Sequence, residues 1–202
     1  MERARSCLNL SVQSIPARFI DSFIYLTFSY LSGVVATDLL GILKVLMKKK
    51  FFNVEDYNES LKHHEFKKSE KNDRPELLNI KTTKLKGKAL SILCHLRNVG
   101  YIMKRIIKSE TIFDEPCYKL LIKLYKIVEY LMSPKMRVWE ICDLQEEVLG
   151  FLILRKSIFE KYPDCFIRPR PKTHYLSHYP ASYEKYGPPV ATWTARYEVK
   201  YL

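Results

Sequence analysis

The stretch Asp114–Ser133, "DEPCYKLLIKLYKIVEYLMS", decides the fold class. Asp114 is the N-cap candidate, because a short side-chain oxygen at that position can accept from an N–H of the first turn. Pro116 sits in the first turn, where a missing N–H costs no hydrogen bond. Tyr118, Leu121, Tyr125, Val128 and Leu131 then recur at steps of three and four, the apolar stripe of a helix. Ser133-Pro134 ends it, since the residue before a proline is steered away from helical backbone. A second helix follows from about Met136 to Tyr162, with Val138, Ile141, Val148, Leu152 and Ile158 among its apolar positions and Pro163 as its stop. A join this short predicts two antiparallel helices that share a core.

The same logic extends upstream. Val35, Leu39, Ile42 and Leu46 place an apolar face on a helix reaching about Lys48. Asn53 caps a short helix through Leu61, and Asp56 adds negative charge to its first turn. Residues 62–88, "KHHEFKKSEKNDRPELLNIKTTKLKGK", are lysine-rich and interrupted by Pro75, the pattern of a loop or arm. Ala89, Leu93 and Leu96 restart a helical period that continues irregularly through Ile102 and Ile106 and reads as one helix, with Gly100 as the candidate point for a break. Six glycines in 202 residues are too few for the many tight turns of a sandwich or barrel. The expectation is a mainly α chain of five to seven helices, the longest being the pair around Ser133-Pro134. It divides into a poorly ordered N-terminus (1–16), an irregular helical domain with a basic loop (17–166), and a Pro-rich, His/aromatic C-terminal segment (167–202).

Composition narrows the class. The chain is 47% hydrophobic and 13% aromatic, in the range of globular domains. Five cysteines without a C-x-x-C read as reduced thiols rather than a disulfide framework or zinc finger. The first residues carry Arg but no continuous apolar run with a small-residue cleavage site, so an intracellular protein of nucleus or cytoplasm is expected. Ser22–Thr37, "SFIYLTFSYLSGVVAT", is uncharged, yet it is shorter than a membrane span of about 18 residues and is bracketed by Asp21 and Asp38. A buried core helix is the expected reading. The net charge of +12 is the footprint of a partner with phosphates or another anionic surface. Lys48, Lys49, Lys50, Lys67, Lys68, Lys84, Lys86 and Lys88 cluster around the predicted loop rather than alternating with acids at helical spacing. They are the candidate nucleic-acid contacts, for DNA or RNA without sequence preference, since no recognition helix or aromatic stacking platform is evident.

Three arrangements invite catalytic or metal readings. His174 and His178, four apart, share a helix face and could ligate zinc. Position 175 is Tyr rather than the Glu of H-E-x-x-H, and only Cys165 lies near as a further ligand, so packed or hydrogen-bonded histidines are expected and no metal. Ser177 beside His178 points elsewhere on a helix, which disfavours a nucleophile and base. Cys94 and His95 are adjacent within an amphipathic helix, where a buried thiol is the simpler reading. No phosphate-cradling glycine loop and no dinucleotide fingerprint occur.

The order of landmarks, "YLSGVVATDLLGILKVLMKKKFFNVEDYNESL", "KNDRPELL", "LKGKALSILCHLRNVGYIM", "LYKIVEYLMSP", "LQEEVLGFLILRKSIFEKYPD" and "PKTHYLSHYPASYEKYGPPVATWTARYEVK", resembles the C-terminal half of transposase-like proteins related to CACTA (En/Spm) elements of animal genomes. The resemblance spans Leu31 to the end. Its most specific part is the last, where His174, His178, Tyr179, Pro180, Gly187, Pro188 and Arg196 match the family's motif positions, with Trp193 as a further structural residue of the segment. It implies an RNase H-like core whose acidic residues hold two divalent metals, Mg²⁺ in an intact site, for strand cleavage and transfer. On that resemblance Glu198 is the one position carried over as a vestigial acidic ligand. Phe28-Ser29 stand where the family commonly has His-Asp, the upstream acidic strands are absent, and the family's continuing helix is cut off. The resemblance therefore implies a non-catalytic transposon-derived fragment, without a cofactor, that keeps some nucleic-acid affinity. The alternative is a helical protein-interaction or scaffold protein with a basic face. A protein partner is undefined, and membrane association is the less favoured use of that face.

Overall fold

The computed structural model describes residues 30–168 and 171–187. The expected poorly ordered N-terminus (1–16), residues 22–29 of the uncharged stretch, and Pro188, Trp193, Arg196, Tyr197 and Glu198 lie outside the described residues. The fold is mainly helical, with no strand among the described residues. A π-helical turn, Tyr30–Val35, opens it, followed by α1 (Ala36–Lys48), α2 (Val54–Lys62), α3 (Ala89–Ile106), α4 (Pro116–Met132), α5 (Val138–Lys161), the short α6 (Pro171–His174) and α7 (Tyr179–Tyr186). Short 3-10 turns cover Lys68–Asp73, Glu110–Asp114 and Tyr175–His178.

Helix α1 is the hub. Leu39, Leu40, Ile42, Leu43, Val45 and Leu46 point in all directions around it, and all are buried. A helix apolar on every side is one enclosed by neighbours, so the single apolar face read from Val35, Leu39, Ile42 and Leu46 was only part of its buried surface. The part of the uncharged stretch that is described feeds this core through Val34, Val35 and Ala36. No described helix is long and apolar enough to cross a membrane.

The charged residue inside this core is Asp38 on α1, which is fully buried. Arg155 of α5, equally enclosed, donates from Nε to Asp38 Oδ2 at 2.7 Å and from one Nη to Oδ1 at 2.8 Å. That same Nη also donates to the Ile167 carbonyl at 3.1 Å, while the other Nη is buried without a partner among the described residues. Burial raises the Asp38 carboxyl above its ordinary range, and the Arg155 hydrogen bonds and charge offset part of that rise. Phe166 completes the arrangement. Its ring lies 5.9 Å from the Arg155 guanidinium, in space that exists because position 41 is glycine: a Cβ there would stand 2.7 Å from the ring.

Helices α4 and α5 form the expected hairpin. Lys123 and Lys126 of α4 reach Glu147 of α5 at 2.8 and 2.7 Å. Contacts at equal distances from the intervening turn are what an antiparallel pair produces. Several boundaries differ from the sequence reading. Asp114 closes a 3-10 turn and Glu115 takes the N-cap position, with Pro116 opening the helix. Leu120, Leu124 and Ile127 join Leu121, Val128 and Leu131 in the core, while Tyr125 is exposed and Tyr118 only half-buried. The aliphatic side chains lie on a face slightly rotated from the expected stripe, and the tyrosines keep their hydroxyls near water. No break occurs at Gly100, where α3 runs on unbroken to Ile106. At 18 residues α3 is one longer than α4, so the longest pair is α5 and α3 rather than α5 and α4.

Candidate nucleic-acid interface

The basic loop between α2 and α3 is held against the core. Asn53 caps α2 by accepting from the Asp56 N–H at 2.7 Å, as its sequence position predicts. One turn into that helix, Asn58 clamps the loop: its Oδ1 accepts from the Leu78 N–H at 2.7 Å and its Nδ2 donates to the Leu78 carbonyl at 3.0 Å. Leu78 and Leu85 are both buried. The Leu85 N–H donates to the Ala36 carbonyl at 3.0 Å, Lys44 Nζ to the Thr82 carbonyl at 2.8 Å, and Ser91 Oγ to the Arg74 carbonyl at 2.9 Å. No sequence signal distinguished Asn58 as a clamp, because its partner lies twenty positions away in a segment without periodicity.

Anchoring Leu85 has an electrostatic consequence. In the run Lys84-Leu85-Lys86-Gly87-Lys88 the leucine turns inward and all three lysines are exposed. Gly87 has φ +122, a backbone conformation that a side chain would strain. The run leads directly into the first turn of α3, which carries no acid and has no side-chain cap. Unsatisfied N–H groups and the helix dipole add positive potential where the lysines already gather. The 3-10 turn that carries Lys68, entered from Lys67, packs along the same helix.

Of the eight lysines expected to contact nucleic acid, two are engaged elsewhere. Lys48 pairs with Asp164 at 2.9 Å, and Lys49 pairs with Glu115. These acids come from segments more than sixty residues away, so the absence of helical i,i+4 partners was a poor guide to whether they are free. Lys50, Lys67, Lys68, Lys84, Lys86 and Lys88 are exposed and have no carboxylate partner among the described residues. The interval 62–108 contains thirteen Lys and Arg against four Asp and Glu, the source of most of the chain's positive charge. Lys71, Lys81, Lys104 and Lys108 are likewise exposed, and sequence reading had not singled them out.

Beside this surface a cleft of about 700 Å³ opens between the 3-10 turn, α3 and α4. Asn98 organises its floor, accepting from His64 Nε2 at 2.8 Å and donating to the Cys94 carbonyl at 2.8 Å. Burial pushes the Cys94 thiol up to about 11, so it is not a thiolate at neutral pH. Its neighbour His95 turns the other way, into the core, with Nε2 2.7 Å from the Tyr57 hydroxyl. Burial pulls that imidazole down to about 4. Cys94 and His95 thus face separate environments and form no nucleophile and base pair.

The His174–His178 pair is intact but open. The two Nε2 atoms stand 3.1 Å apart with the rings edge to face, and both residues are exposed. The density of aromatic rings around Gly187-Pro188 predicts partial burial of His178, but Leu176 and Tyr179 turn inward from this segment, together with Pro180, and both histidines occupy the outer face. Ser177 Oγ donates to the His174 carbonyl at 2.7 Å rather than to His178. Among the described residues no group of three metal-ligating side chains converges. Gly187 follows α7 at φ +79, and its N–H donates to the Tyr183 carbonyl. No protein-family model, curated protein or solved structure matches the chain.

Proposed function

We propose that the chain is a non-catalytic, intracellular nucleic-acid-binding module of transposase descent, which holds phosphates without reading sequence. The observation that carries this reading is the set of exposed lysines at 50, 67, 68, 84, 86 and 88 without a carboxylate partner among the described residues, all but the first presented by a loop that Asn58, Leu78 and Leu85 fasten to the core. A fastened loop loses less conformational freedom on binding than a free lysine-rich arm, so more of the electrostatic attraction remains as affinity. Cleavage is not part of the proposal. Phe28-Ser29 replace the His-Asp of the resembled family, and Glu198 alone cannot position two metals for phosphoryl transfer.

The test is fluorescence anisotropy with labelled duplex and single-stranded oligonucleotides, titrated from about 50 to about 200 mM salt. Binding is expected to be micromolar or weaker at physiological salt, on the order of other non-specific binders, and to weaken steeply with added salt. Changing Lys84, Lys86 and Lys88 together to Ala should flatten the salt slope on duplex DNA by about 0.9 for each phosphate that these lysines neutralise in the wild type. Undetectable binding at low salt, or binding indifferent to salt, rejects the reading. The scaffold alternative would then stand ahead, favoured by the exposed apolar residues of α5.

A further inference from the structure

Helix α5 has two faces of different character. Leu144, Val148, Phe151 and Ile158 bury one against the rest of the fold. The other leaves Val138, Trp139, Leu149 and Ile153 between 55% and 70% exposed. Four large apolar side chains more than half exposed on one helix are not required by the packing of the monomer.

Their spacing is informative. Trp139, Cys142, Glu146, Leu149, Ile153, Lys156 and Glu160 follow one another at alternating steps of three and four without interruption. That is the repeat of a coiled-coil seam, in which successive members line one face and insert between residues of a facing helix. Cys142, Glu146, Lys156 and Glu160 are exposed together with the apolar members. Glu146 and Lys156 have no ion-pair partner among the described residues.

We propose that this face is the interface of a symmetric homodimer, in which α5 pairs antiparallel with α5 of a second copy about a two-fold axis at Phe151. The register follows from the charges. With the axis there, Leu149 meets the partner's Ile153 and Ile153 meets the partner's Leu149, forming an apolar centre. Glu146 then meets the partner's Lys156, and Lys156 the partner's Glu146, so the two flanking layers are opposite in charge. A two-fold interface repeats every contact, which doubles each pairing. Shifting the axis to position 146 would bring the two Glu146 carboxylates together. Of the two-fold axes that superpose this seam on itself, the one at position 151 sets Leu149 against Ile153 and at the same time sets Glu146 against Lys156.

The experiment is sedimentation analysis of the full chain over a concentration series, with circular dichroism to confirm folding of each variant. The wild-type chain should form a reversible dimer. Glu146→Lys alone and Lys156→Glu alone should each weaken association by at least about tenfold, because each substitution creates two like-charge contacts. An equimolar mixture of these two variants should associate as tightly as the wild type, since each reversed charge then meets its opposite. Leu149→Asn, at an exposed position, should also favour the monomer. A wild-type chain that stays monomeric at every soluble concentration overturns the proposal and assigns the face to another occupant. A dimer that ignores the single charge reversals, or a mixture no tighter than either variant alone, overturns the register and the proposal with it.

Discussion

Acidification should destabilise this fold through His95 by an amount that can be isolated. The imidazole is 1% exposed, and its Nε2 is 2.7 Å from the Tyr57 hydroxyl, itself enclosed. Burial disfavours the imidazolium and lowers the folded-state value to about 4, against 6.5 for a free histidine. Between those two values the unfolded chain binds a proton that the native state refuses. A depressed folded value therefore means that stability is fully present above about pH 6.5 and is lost as pH falls toward 4. A gap of about 2.5 units at about 1.4 kcal/mol per unit amounts to roughly 3 kcal/mol. That is a large share of the roughly 5–15 kcal/mol that holds a domain together. The wild-type profile sums over every ionisable group and does not by itself identify His95. The comparison is His95→Gln, which keeps a polar partner for Tyr57 but does not titrate. Urea denaturation followed by helical circular dichroism, at steps between about pH 4 and about pH 7, yields both profiles. The variant should be somewhat less stable at neutral pH, and the balance between the two chains should shift by about 3 kcal/mol in the variant's favour on acidification, so that their order reverses. Profiles that run parallel would refute a neutral, buried His95.

Two further changes probe the core around α1. Asp38→Ala should cost about 3–5 kcal/mol in chemical denaturation, because it leaves the Arg155 guanidinium enclosed with the Ile167 carbonyl as its one remaining acceptor among the described residues. Adding Arg155→Met should recover part of that loss, and a double variant no better than the single would show that the buried charge was not the cause. Gly41→Ala adds helix propensity worth about 1 kcal/mol, yet places a methyl 2.7 Å from the Phe166 ring and forces that ring off its seat over Arg155. A net loss of about 1–3 kcal/mol of stability, read as a lower denaturation midpoint, is expected, and a gain would mean that Phe166 has room to move.

What the sequence by itself determined is helical identity, because helix formation is governed by neighbours within about four residues. Asn53 caps α2, Pro116 opens α4, Ser133-Pro134 separates α4 from α5, and Pro163 lies just beyond the end of α5, all readable from local chemistry. The basic character of the interval before α3 was legible for the same reason, since charge is a property of residues and not of their arrangement. Which lysines remain free was decided by tertiary structure. Lys48 and Lys49 find Asp164 and Glu115 across separations of 116 and 66 residues, and no local pattern encodes such meetings. The same holds for the lysine loop, fastened by one asparagine and two leucines, and for Asp38 and Arg155, two charges 117 positions apart that share one enclosed site. The sequence likewise marks Val138, Ile141, Val148, Leu152 and Ile158 as apolar positions of α5, but only packing decided which of them the core takes: Val148 and Ile158 are buried, and Val138 is exposed. The face carrying Leu149 and Ile153 is left to solvent because α4 and α7 occupy the opposite one. Burial depends on what the remote chain places against a surface, whereas propensity depends only on the chain at hand.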